Sequence, residues 1–69
     1  MSDIDKLREH AATIMCHLED AHTAAMDIQS HDRSLPDMEI EFKTIRAELR
    51  AVENLLLRTD ALLTLLKLK

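Results

Sequence analysis

Residues 42–66 read FKTIRAELRAVENLLLRTDALLTLL, and their spacing decides the fold class. Phe42, Ile45, Leu49, Val52, Leu56, Thr59, Leu63 and Leu66 step alternately by three and four residues. That is one face of an α-helix, sustained over more than three heptads. Upstream, Ile4, Leu7, Ala11, Ile14, Leu18, Ala21, Ala25 and Ile28 step in the same way. The three alanines in that run are small enough to let a second helix approach closely. Between the runs lies a polar stretch, residues 29–37, punctuated by Pro36. Proline disfavours helix at the residue before it and is at home at a first helical position. The pattern predicts an all-α chain: one antiparallel two-helix hairpin, coiled-coil-like, over residues 1–69. The first helix is expected at about 3–30, the connector at about 31–36 and the second helix at about 37–67. Ser2 with Asp5 resembles a capping box for the first helix, and Ser34 or Leu35 is placed to cap the second.

Composition narrows the field. The chain has 69 residues, no Gly, no Trp, no Tyr and one Pro, with Phe42 as its one aromatic. Without glycine, tight hairpin turns and phosphate-cradling loops are hard to build, which argues against sandwiches, barrels, P-loops and Rossmann units. A chain this short can hardly wall a catalytic pocket, so it reads as no enzyme. Residues 1–35 carry three bases against seven acids, and residues 36–69 carry six of each, which accounts for the net charge of −4. No basic stripe offers itself to nucleic acid. The start of the chain is acidic and lacks the apolar core of a signal peptide. The longest apolar runs, such as Leu55–Leu57, are far short of a membrane span. A lone cysteine, Cys16, fits a reducing compartment, and the expected location is cytoplasmic.

No constellation of residues points to a cofactor or a metal. His10 and His17 are seven residues apart, about 10 Å along a helix, too far to share a zinc ion. His17 and His22 point in different directions, and neither a His-Glu-x-x-His nor a Cys-x-x-Cys run occurs. Cys16 is expected beside the seam as a small, partly buried thiol. Its acidic neighbours Glu19 and Asp20 are the opposite of what activates a nucleophile. Arg46, Glu48, Arg50 and Glu53 are spaced for exposed ion pairs along the second helix. The methionines offer either core filling or an adaptable contact surface.

The informative feature is an excess of apolar surface. Beside the second-helix seam runs another line, Ala47, Ala51, Leu55, Leu62 and Leu65, and Leu57, Ala61 and Leu68 follow on the other flank. The first helix adds Met15, His22 and Met26 beside its own seam. One partner helix cannot cover all of this. Fully burying a leucine is worth roughly 1.5–3 kcal/mol, so four or five left in water form a sticky patch. The hairpin therefore reads as one part of a larger helical assembly. Ala51, Leu55, Leu62, Leu65, Met15 and Met26 are the expected partner-binding residues.

The second helix also resembles a known family. Phe42 followed at Arg50-Ala51-Val52-Glu53 by a basic-Ala-aliphatic-Glu run, and then by an apolar tail, is similar to the small type III secretion needle co-chaperones. Leu18-Glu19-Asp20-Ala21 resembles their aliphatic-Glu-x-Ala segment. The likeness covers most of residues 15–66. It departs at the connector, which is about one turn longer and has Pro36 in place of their usual glycine. The resemblance implies a virulence-associated cytoplasmic co-chaperone. Such a protein binds a tetratricopeptide-like chaperone, and the two together keep a needle subunit monomeric before export. On that reading Leu55, Leu62 and Leu65 are the docking line. The alternative is a homo-oligomer: two hairpins forming a four-helix bundle of the Rop type. Met26-Asp27-Ile28 and Leu35-Pro36 resemble segments of small Rop-like proteins linked to nitrogen fixation.

Overall fold

The computed structural model describes residues 2–68. It has two α-helices, α1 (Asp3–Ile28) and α2 (Leu35–Lys67), packed along their length as an all-α hairpin. The result is a rod with Cα extents of 54 × 15 × 14 Å. Each helix starts at a serine. Ser2 Oγ accepts from the Asp5 backbone N–H at 3.1 Å and donates to the Asp5 carboxylate at 2.9 Å. Ser34 Oγ accepts from the Asp37 N–H at 3.3 Å. Both serines satisfy a donor that the first helical turn leaves free. With Ser34 as cap, Leu35 and Pro36 open α2, so the helix begins two residues earlier than the spacing suggested. α1 ends two residues earlier than expected, at Ile28, with Gln29 as its C-cap.

The turn is tied by one guanidinium. Arg33 reaches Asp27 at the end of α1 at 3.5 Å and Glu41 at the start of α2 at 3.6 Å. All three residues are half-buried, and the contact holds the two helix ends in one rotational setting.

That setting differs from the expected one. In heptad notation the buried and half-buried residues of α1 fall at a (Leu7, Ile14, Ala21, Ile28) and d (Asp3, His10, His17, Ala24), with Ala25 at e and Asp27 at g as the two others. In α2 they fall at a (Met38, Ile45, Val52, Thr59, Leu66) and d (Glu41, Glu48, Leu55, Leu62), with Asp37 and Ala51 at g as the two others. Half of the expected seam is therefore correct and half is rotated by one residue. Ile4, Ala11 and Leu18 give way to Asp3, His10 and His17, and Phe42, Leu49, Leu56 and Leu63 give way to Glu41, Glu48, Leu55 and Leu62. The physical reason is the width of the apolar arc. It covers a and e on both helices and reaches d at Ala24, Leu55 and Leu62, more than a single neighbouring helix can cover. The hairpin uses d and a, where cross-helix polar pairs and the Arg33 tie favour closure.

Two such pairs join the helices among the described residues. His17 Nδ1 donates to the Glu48 carboxylate, and His10 Nδ1 lies 2.9 Å from Thr59 Oγ1. The Thr59 hydroxyl donates to the Leu55 carbonyl at 2.8 Å, which leaves His10 Nδ1–H as the donor in its own contact. His10 and His17 therefore belong to the seam, while His22 and His31 are exposed. The core they share is thin: among the described residues only Ala21, Ala24 and Val52 are buried.

Candidate partner-binding face

The line left over by the rotation is the e position of both helices. It holds Ile4, Ala11, Leu18 and Ala25 on α1 and Phe42, Leu49, Leu56 and Leu63 on α2. All eight residues are apolar. Seven are exposed and Ala25 is half-buried. In an antiparallel pair the two e lines lie on the same side of the hairpin, so these are not two separate stripes. The two cross-helix contacts, His10 with Thr59 and His17 with Glu48, bracket a register that brings Ile4 level with Leu63, Ala11 with Leu56, Leu18 with Leu49 and Ala25 with Phe42. A continuous apolar flank therefore runs the length of the rod.

The opposite flank, at g, is mixed. It carries Lys6, Thr13, Asp20 and Asp27 on α1 and Thr44, Ala51, Arg58 and Leu65 on α2. A shallow groove there is lined by Asp20, Thr23, Asp27, Glu41, Thr44 and Glu48. Three of its four acids already have work within the fold: Asp27 and Glu41 hold Arg33, and Glu48 holds His17. Among the described residues no group of three or more His, Cys, Asp or Glu side chains is arranged to hold a metal ion. No helix among them is long and apolar enough to cross a membrane.

The expected partner-binding residues are scattered by this geometry. Leu55 and Leu62 face α1 in the hairpin's own seam and are half-buried. Ala51 is half-buried on the g flank, where Leu65 is exposed. Met15 and Met26 are exposed on the outer surface of α1 at b and f. Of the six, Met15 is the one that borders the apolar flank. Cys16 is exposed rather than partly buried. Glu48 turns inward to His17 instead of pairing along its own helix, and no ion pair joins Arg46 or Arg50 to an acid among the described residues. The residues that sequence reasoning placed elsewhere, Leu18, Phe42, Leu49, Leu56 and Leu63, were read as core. Their apolar character was plain, and only the rotation of the helices decides that they face outward.

Comparison with protein-family models, with curated proteins and with solved structures finds no match to this chain.

Proposed function

We propose that this protein is a non-catalytic interaction subunit that works by laying its apolar e flank on the helices of another protein. One observation carries the reading: eight apolar residues in a line, seven of them exposed, on a hairpin whose own core is three small or medium side chains. An apolar patch of that extent on a small chain marks an interaction face. The likeness of the second helix to the needle co-chaperones gives the partner a chemical character. It is a tetratricopeptide-like helical chaperone that, with this chain, keeps an amphipathic needle subunit monomeric before export. An array of helix pairs offers a concave apolar surface, and a stiff rod with one greasy edge suits it. On this reading the docking line is Phe42, Leu49, Leu56 and Leu63, with Leu18 beside them, rather than Leu55 and Leu62.

The test is co-expression with a tetratricopeptide-like chaperone and a needle subunit, followed by size-exclusion chromatography. The expected result is a stable complex that Leu49→Asp with Leu56→Asp abolishes. A complex that survives that pair of changes, or the absence of any complex together with no binding of an apolar dye by the free chain, overturns the proposal.

A further inference from the structure

We infer that a second copy of this chain covers the apolar flank when the protein is alone, with each helix lying antiparallel on its own counterpart across a two-fold axis. The inference rests on reading the e flank as an interaction face, and it adds the occupant and its orientation.

The first argument is steric. An antiparallel self-pairing about a point between Leu49 and Leu56 sets Leu49 against the second copy's Leu56 and Phe42 against its Leu63. The same axis meets α1 between Ala11 and Leu18, because the hairpin register, bracketed by His10 with Thr59 and His17 with Glu48, fixes where the two helices are level. There it sets Leu18 against the second copy's Ala11, and Ile4 against its Ala25. Large side chains meet small ones on α1, which is how facing layers interdigitate without voids. The lengthwise alternative, α1 on the second copy's α2, opposes Leu18 to Leu49 and Ile4 to Leu63.

The second argument is charge. The b positions of α2 form the outer rim of the flank: Glu39, Arg46, Glu53, Asp60 and Lys67. All five are exposed, and none makes an ion pair within the hairpin among the described residues. Read backwards, this row complements itself. The same axis brings Glu39 to the second copy's Lys67 and Arg46 to its Asp60. Each pair occurs twice, and Glu53 sits on the axis facing its own copy. An isologous interface requires this kind of self-complementarity. The lengthwise alternative gives Arg8 with Asp60 as its one acid–base pair. A surface pocket of about 300 Å³ between Glu39, Phe42, Lys43 and Arg46 lies where the second copy's Leu63 arrives.

The third argument is area. The chain exposes 5478 Å², whereas a compact monomer of this mass exposes roughly 4,400 Å². The excess of about 1,000 Å² compares with the roughly 800 Å² that each partner gives to an interface of standard size. The a positions then point to the centre of a four-helix bundle, with d closing each hairpin and e closing the two hairpins on each other.

The experiment uses the full chain with Cys16→Ser, so that introduced thiols report alone. Glu53→Cys in this background, treated with a short bismaleimide, is expected to cross-link to a dimer at least tenfold faster than Asn54→Cys. Only the first residue is held beside its copy, and proximity raises the effective concentration. Sedimentation velocity at low micromolar concentration is expected to give a dimer for the uncross-linked protein. Equal cross-linking of the two variants overturns the inference, as does a preference of Glu53→Cys for a Met15→Cys partner chain. A monomer overturns it too, and the monomer's behaviour then separates the two proposals. If it binds an apolar dye or a chaperone, the interaction face survives without the second copy; if it binds neither, both readings fail.

Discussion

Replacing Leu49 and Leu56 by alanine trims the middle of the apolar flank and leaves the a and d lines of the hairpin intact. The size of the effect follows from how wet those side chains are: Leu49 is 46% and Leu56 44% exposed. A leucine taken wholly out of water gains about 1.5–3 kcal/mol, so the part that association still has to bury is worth about 1 kcal/mol on each. A partner that contacts one copy of the flank loses two such contributions, about 2 kcal/mol, or roughly thirtyfold in Kd. A self-paired bundle loses four, about 4 kcal/mol, or roughly a thousandfold. Sedimentation equilibrium across a concentration series measures the second quantity directly. Far-UV circular dichroism checks that the variant remains helical, which alanine's high helix propensity favours. Leu57→Ala is the control, because Leu57 is 68% exposed on the outer side of α2 and lies off the flank. If the double alanine variant associates within threefold of the unmodified chain, the e line is not the contact surface and the argument from exposure is refuted.

Four further outcomes are expected. Ser34→Ala removes the oxygen that accepts from the Asp37 N–H, so the hairpin should lose about 1 kcal/mol in a urea titration, while Ser34→Asp should lose little. Glu48→Ala strands His17 in the seam and should lower the unfolding midpoint by about 1 kcal/mol of stability. His17→Leu with Glu48→Leu replaces the pair by apolar contact and should raise the midpoint above that of the unmodified chain. Glu53→Gln removes the one like-charged pair on the inferred axis and should tighten self-association several-fold at low salt; the gain should shrink as salt screens the rim.

The sequence pattern carries the helices, their caps and the hairpin, because each has a local cause. The three-four spacing, Ser2, Ser34 and Pro36 all act within a turn or two of where they stand. The rotation of the helices has no such local cause. Ile14, Ala21, Val52 and Leu66 lie at a in either setting, so they are core whichever way the hairpin closes. Leu18 and Phe42 lie one position further round and are core only if the helices turn toward them. What turns the helices away is a set of contacts between residues far apart in the chain: His17 with Glu48, His10 with Thr59, and Arg33 across the turn. A histidine and a glutamate on separate helices each look like surface residues when read alone. The candidate face was legible as surplus apolar area and illegible as a location for the same reason.

Cys16 stands at a c position on the back of α1, open to solvent and turned away from the greasy edge. A dye attached to its sulfur would ride on the outside of any assembly built through that edge, so labelling and docking need not compete. In the inferred bundle the two sulfurs look out from opposite sides. Oxidising conditions would then string bundles into chains by disulfides instead of locking one bundle shut, and a purified stock would need reductant to stay discrete.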